Sequence, residues 1–288
     1  MNQAVAAFAD EIKVEHTLFA LPFAYAAMLL AARGLPPLHV IVWVTVAVLG
    51  ARTAAMAANR LFDARLDARN PRTAHRGVAS GRLRPAVLWW ACIAGLALLA
   101  IAALNLNPLC LALLPIGAGA VMLYPLVKRW TWAVHFVLGA VDALAPLGAW
   151  IAVTGKIEPA AWLIFAAVTL WVAGFDVLYA LMDRDFDMRE GVRSIPARFG
   201  AGAGLRLHEI LHALLIVALV LLGIASAVHP LYWLGVIFAA LLLAYEFRLI
   251  ARQRDVFALN AAVFNANMIF SVAFLFSTAA AVLAPHKY

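Results

Sequence analysis

"LHVIVWVTVAVLGARTAAMAA", residues 38–58, runs without a break into "NRLFDARLDARNPRTAHR", residues 59–76. The first stretch is almost wholly apolar. It is long enough to cross a hydrocarbon layer of about 30 Å as a helix. The second is crowded with both signs of charge, as expected where a transmembrane helix meets water. Asn59, Asp63 and Asp67 recur at steps of four. Each such step advances the direction on a helix by about 40°, so the three share one face.

The rest of the chain has the same character. Of its 288 residues 66% are hydrophobic and only 13% charged, with a mean hydropathy of +0.93. A soluble domain of this size cannot hide so much apolar surface. Nine spans are expected, at about 17–33, 37–58, 86–104, 108–127, 132–153, 159–182, 208–228, 231–250 and 258–284. None alternates polar and apolar residues as a barrel strand does. The fold class is therefore all-α: a polytopic membrane protein, with 1–288 as one membrane domain. "RGLPP", "NLNP", "TGKIEP" and "VHP" mark short turns between spans. The other connections are basic, and 59–85 and 183–207 are expected as cytoplasmic loops carrying the acidic motifs.

Charge sets the orientation. Of 22 Lys and Arg, all but Arg33, Lys156 and Lys287 fall on the side of the N-terminus. Basic loops stay in the cytoplasm, so the N-terminus is expected there and the C-terminus outside. This topology accounts for much of the net charge of +7. No nucleic-acid partner or obligate protein partner is expected. Cys92 and Cys110 lie in apolar runs and read as small buried hydrophobes. The N-terminal stretch "MNQAVAAFADEIKVEH" has no basic region with a cleavage site, so the first span is expected to be an uncleaved signal.

A second acidic cluster lies in "DVLYALMDRDFDMREGVRSIPARFG", residues 176–200. Asp176, Tyr179, Asp183 and Asp187 would share a helical face, and Asp185 would point elsewhere. Both clusters end even-numbered spans, which places them at one membrane surface. "RGVASG" at 76–81 and "EGVRSI" at 190–195 make the halves look like weak parallel repeats. Four facing carboxylates repel one another unless a cation neutralises them. Carboxylates without His or Cys suit a hard ion. Mg²⁺ takes one or two carboxylates together with water and the substrate's phosphate oxygens. The nearby arginines would complete an anion clamp. Solvated helix caps and topology-setting arginines are the plainer reading. Two such clusters on one side, each followed by arginines, favour a Mg²⁺–diphosphate site with the substrate tail in the bilayer.

These motifs resemble the UbiA superfamily of intramembrane prenyltransferases. Asn59, Asp63 and Asp67 match its N-x-x-x-D-x-x-x-D, and Asp183, Asp187, Gly191 and Ser194 match its D-x-x-x-D followed by G-x-x-S. "DVLYALMD" is similar to the D-x-x-Y-A-x-x-D of the hydroxybenzoate branch, and "YPLVKR" at 124–129 to the family's Y-P-x-x-K-R. "EHTLFALPFAY" at 15–25 and "GAWIAVTGKIEP" at 148–159 look like that branch and its menaquinone relatives.

The resemblance implies nine helices around a central cavity, with Asp63, Asp67, Asp183 and Asp187 as metal-binding catalytic residues. It implies Asn59, Arg72, Arg76 and Lys128 at the diphosphate, Tyr124 near the allylic C–O bond, and Asp176 and Tyr179 as further binding residues. The implied reaction moves a polyprenyl group from polyprenyl diphosphate to an aromatic ring carbon, at a bacterial inner membrane. The acceptor would be a small aromatic acid: 4-hydroxybenzoate for ubiquinone, or a naphthoate for menaquinone, since "ARNPRTA" looks similar in both groups. Membrane lipid is the surrounding partner. A transporter is the alternative of another class, but its carboxylates should lie near the midplane.

The first helix departs from relatives that carry an Arg there. It offers Glu15 and His16, and His16 reads as a helix-end hydrogen bonder. Asp142 suits an acceptor contact or a structural bond equally. Asn265, Asn267 and Ser271 are expected to join the last helix to its neighbours. Trp89, Trp90, Trp130 and Trp132 are expected in an interfacial belt.

Overall fold

The computed structural model describes Glu11, residues 14–253 and residues 255–285, with side chains for Glu11 and from 21 onward in those ranges. The side chains of Lys13, Glu15, His16, Arg254 and Lys287, and the N-terminal signal reading, fall outside the described residues. Regular structure among the described residues is helical throughout: α1 (Val14–Ala32), α2 (Leu38–Asp67), α3 (Pro85–Leu104), α4 (Pro108–Val127), α5 (Val134–Thr154), α6 (Pro159–Tyr179), a 3-10 turn (Ala180–Asp183), α7 (Arg184–Glu190), α8 (Ile195–Phe199), α9 (Ala201–Ala225), α10 (Leu231–Arg252) and α11 (Val256–Leu283). Eight described helices are long and apolar enough to cross a membrane, and the described apolar part of α1 is Leu21–Ala32. The protein is an integral membrane protein.

Local chemistry starts and stops these helices where expected. Proline sits in the first turn of α3, α4 and α6, where no intrahelical N–H is needed. Asn107 caps α4 by accepting from the backbone N–H of Leu109 and Cys110, at 3.1 and 3.0 Å. Its amide donates to the Ile151 carbonyl at 2.8 Å, which fastens the cap to α5. Gly155 ends α5 in the left-handed region, at φ 67°.

Three expectations are corrected. The segment 59–85 does not begin as a loop: α2 continues for 30 residues through Asp67. The second cluster is not one continuous helix face, because the chain tightens into a 3-10 turn at Ala180–Asp183 before α7 begins. Likewise 183–207 is mostly helical, comprising α7, α8 and the start of α9.

Bare backbone lets α2 and α3 cross closely. A Cβ on Gly50 of α2 would lie 2.6 Å from the Gly95 carbonyl oxygen of α3, and one on Gly95 would lie 2.6 Å from the Gly50 oxygen. Small residues let membrane helices approach in this way. Gly50→Ala is therefore expected to push α2 and α3 apart and cost about 1–3 kcal/mol. Gly119→Ala, where an added Cβ meets nothing within 4 Å, should change little. Thermal denaturation in detergent would check the pair, and equal melting temperatures would refute it.

Phe23 packs against Trp171, Phe270 and Phe274 at ring-centroid distances of 4.8, 5.6 and 5.2 Å, joining α1, α6 and α11. Asn267 performs its expected role: its amide donates to Glu246 at 2.7 Å and its oxygen accepts from the Trp171 indole. Asn265 instead is exposed, and the Ser271 hydroxyl donates back to Met268 within α11. Trp89, Trp90, Trp130 and Trp132 are exposed, as a belt requires. Cys92 is buried and Cys110 partly so, and both are free.

Candidate active site

The extension of α2 carries the first motif. Asn59 donates its amide to Asp63 Oδ2 at 3.2 Å and accepts from Arg60 at 2.9 Å. The Lys128 ammonium, just past α4, donates to the same Asp63 oxygen. Asp63 is buried, and its other oxygen, Oδ1, is buried with no hydrogen-bond partner. One turn on, Arg76 Nη1 donates to both oxygens of Asp67 at 2.8 Å. Arg60 is itself buried and pairs with Glu11 at 3.2 Å. Sequence spacing alone gave no sign of that contact.

The loop after α2 reaches across to the second motif. Arg72 forks onto Asp183, with Nε donating to Oδ1 at 2.8 Å and Nη2 donating to Oδ2. Asn70 donates to the same Oδ1 at 2.8 Å. Arg72 also donates to the Tyr179 hydroxyl at 3.2 Å, and its guanidinium lies 5.2 Å from the centre of that ring. Burial works against the Arg72 cation, but the Asp183 carboxylate outweighs it and holds the pKa above its ordinary value. The two motifs, more than a hundred residues apart, are thus pinned together by a planar fork.

Asp187 is held differently. Gly191 ends α7 at φ 70°, a conformation that favours glycine, and turns the chain back. Ser194 then donates its hydroxyl to Asp187 Oδ2 at 2.9 Å and accepts from the Ala197 N–H, capping α8. This is the physical content of the G-x-x-S spacing. Ser194→Ala is expected to lower kcat/KM by about 10-fold or more, because a hydrogen bond to a charged group is worth roughly 1.5–3 kcal/mol. A steady-state comparison with wild type would check it, and an unchanged value would refute it.

Asp176 and Tyr124 are held by partners outside the two motifs. Asp176 bonds His135 Nδ1 at 2.7 Å, while His135 Nε2 accepts from the Ile195 N–H at 3.2 Å. The proton of that neutral imidazole is therefore on Nδ1. Tyr124 is buried, and its hydroxyl donates to the Ala55 carbonyl at 3.4 Å. Asp185, as expected, is exposed, and pairs only with adjacent Arg184 at 3.2 Å.

Below the motifs lies a cavity of about 390 Å³ between α2, α3, α4, α5 and α6. Val44, Val48, Leu113, Leu144 and Phe165 line it, and Ala55, one turn before Asn59, bounds it on α2. One ion pair interrupts the apolar wall: Arg52 Nη1 bonds Asp142 Oδ1 at 2.8 Å. Arg52 Nε is buried with no hydrogen-bond partner. Arg52 is therefore not one of the surface arginines that set orientation. Ionisable groups at this depth mark function. The signal was present in the sequence as a charge inside an apolar run.

The donor chemistry fits a hard divalent cation. Asp63, Asp67, Asp183 and Asp187 offer only carboxylate oxygens, Arg72 ties the two motifs together, and Asp63 Oδ1 has no hydrogen-bond partner among the described residues.

The comparisons agree with this architecture. The sequence pattern of the UbiA prenyltransferase family matches residues 20–283. A 4-hydroxybenzoate octaprenyltransferase from Xanthomonas euvesicatoria pv. vesicatoria is 37% identical over 229 residues, covering 80% of this chain and 75% of that protein. The protein of the same name from Marinobacter nauticus is 34% identical over 244 residues, covering 83% and 81%. The apo structure of a UbiA homolog from Aeropyrum pernix K1 superimposes with a TM-score of 0.80 at 33% identity, covering 89% of this chain and 96% of that one. A UbiA homolog from Archaeoglobus fulgidus, bound to GPP and Mg²⁺, shares the fold with a TM-score of 0.69 at 17% identity, covering 95% and 99%. The match runs from the first membrane helix to the last, with both acidic motifs inside it: the chain belongs to the UbiA prenyltransferase family.

Proposed function

We propose that this enzyme transfers a polyprenyl group from polyprenyl diphosphate to a ring carbon of 4-hydroxybenzoate, in the ubiquinone pathway. One observation carries the reading. Acidic motifs from the two halves are locked together through Arg72 and Asp183 at the end of an apolar cavity. Relatives that share 34–37% of their residues with this chain bear the name of that activity. Family membership displaces the transporter reading. The concentration of Lys and Arg on one side supports a cytoplasmic position for the motifs and the N-terminus and an outside position for the C-terminus, and the bacterial relatives support an inner membrane.

Asp63, Asp67, Asp183 and Asp187 would hold Mg²⁺, which when bound supplies positive charge to the departing diphosphate. The free chain already neutralises three of these carboxylates, through Lys128, Arg76 and Arg72. Substrate binding would then be an exchange of partners, in which those cations turn to phosphate oxygens and leave the carboxylates available to hold the ion. The number of buried charges without a partner stays low throughout, which limits the desolvation cost. The allylic C–O bond breaks with its electron pair leaving on the diphosphate. The cavity walls keep water from the resulting allylic cation. The phenol ring supplies the electron pair for the new C–C bond, and its ring proton then passes to an oxygen of the departed diphosphate or of a motif carboxylate. Arg52, with Nε unpaired, is the cation in the cavity wall that can receive the acceptor's carboxylate.

Membranes containing the chain, incubated with Mg²⁺, one polyprenyl diphosphate and one aromatic acid at a time, test this by product mass. The expected result is prenylated 4-hydroxybenzoate with release of diphosphate. Product from a naphthoate alone would overturn the acceptor, and no product from any acid would overturn the activity.

A further inference from the structure

The C-terminal helices carry a second cluster of ligating side chains that prenyl transfer leaves unused. His208 and His212, one turn apart on α9, face Glu246 of α10, and all three are fully buried. Their protonation follows from their partners. His208 Nδ1 lies 2.9 Å from the Gly174 carbonyl oxygen, and His212 Nε2 lies 3.2 Å from that of Trp171. A carbonyl only accepts, so both of those nitrogens carry the proton. Gly174 makes room for this: a Cβ there would lie 2.6 Å from His212 Cδ2.

Two nitrogen lone pairs therefore remain, on His208 Nε2 and His212 Nδ1, and both face the Glu246 carboxylate. His212 Nδ1 is 3.0 Å and His208 Nε2 is 3.8 Å from Glu246 Oε2, and one ligand atom from each residue lies within 4.8 Å of the others. Three electron-rich atoms converging in a membrane interior require a cation. A single shared proton would serve His212 and Glu246 but leaves His208 Nε2 buried with no hydrogen-bond partner. A metal ion serves all three. Ligands about 2.0–2.1 Å from a tetrahedral ion sit roughly 3.3 Å apart, between the two observed separations. Two imidazoles and one carboxylate suit a zinc-class ion, not the hard cation of the aspartate site. The carbonyls of Gly174 and Trp171 and the Asn267 amide on Glu246 Oε1 supply the outer hydrogen bonds that orient such ligands.

We propose that His208, His212 and Glu246 bind one zinc-class ion. It fastens α9 and α10 beside α6, the helix that leads to Asp183 and Asp187. Because the three side chains are fully buried, the ion enters while the helices assemble.

The test is the metal content of the full-length, tag-free chain, purified from cells grown with added zinc and measured by mass spectrometry. About one zinc per chain is expected, as for a single site. Glu246→Gln preserves shape, since the new amide can donate to His212 and accept from Asn267, but it removes the ligand charge. It should retain less than about a tenth of the zinc, whereas Asp63→Asn and Asp187→Asn should retain it all. Wild-type chain without zinc overturns the proposal, whether or not the variants accumulate. Equal zinc in wild type and Glu246→Gln overturns it as well.

Discussion

Asp63→Ala and Asp187→Ala are each expected to reduce prenyl transfer by about 10²–10³-fold or more, the scale of losing a group that stabilises developing charge. Asp63 is the sharper case. Its Oδ2 accepts from both Lys128 and Asn59, and its Oδ1 has no hydrogen-bond partner among the described residues. Truncation removes that open ligand atom and also frees the Lys128 ammonium from its carboxylate. Among the described residues Asp187 has no cationic hydrogen-bond partner and is held by the Ser194 hydroxyl instead, so truncating it frees no buried cation. Asp185→Ala is the control, because its carboxylate is 84% exposed and pairs only with its neighbour. Membranes would be assayed for product, and the purified chain would be checked for a monodisperse profile. Near-normal turnover in either truncated variant, with the chain inserted, would sink the metal-site reading.

How much of this was legible in the sequence depends on the range of the interaction. The four-residue spacing of Asn59, Asp63 and Asp67 is a local property of one helix, and α2 carries all three. The second motif was legible as a cluster but not as a shape. Spacings of three and four fit an α-helix through Asp187 as well as they fit the observed break at Ala180–Asp183. The G-x-x-S pattern marked a site without giving its reason, which is the left-handed Gly191 returning Ser194 to Asp187. Contacts between distant segments left no periodic trace. Arg72 with Asp183, His135 with Asp176 and Arg60 with Glu11 each depend on helices meeting in space. Glu246 has no spacing relation to His208 and His212, so the histidine pair alone was not readable as part of a cluster. Charge bias alone groups Arg52 with the orienting arginines, although its place inside an apolar run sets it apart.

Arg52→Leu should separate two roles that the cavity ion pair combines. Removing the cation leaves Asp142 facing an apolar wall without its partner, and breaking a buried pair from one side costs about 3–5 kcal/mol. The single variant is therefore expected to melt well below wild type. Arg52→Leu combined with Asp142→Leu leaves no charge behind. Replacing a buried pair with apolar side chains is often neutral or stabilising, so the double variant should recover most of the lost stability. Acceptor use should not recover. The unpaired Arg52 Nε and the apolar remainder of the lining make this cation the natural seat for an aromatic acid's carboxylate. In the double variant the KM for 4-hydroxybenzoate should rise by about 10-fold or more, the worth of one charge-assisted hydrogen bond. The KM for polyprenyl diphosphate, bound at the motifs roughly two helical turns away, should hold. A double variant with wild-type stability and a wild-type acceptor KM would show that the pair serves only to neutralise itself. A rise in both KM values together would instead place the loss in the shape of the cavity.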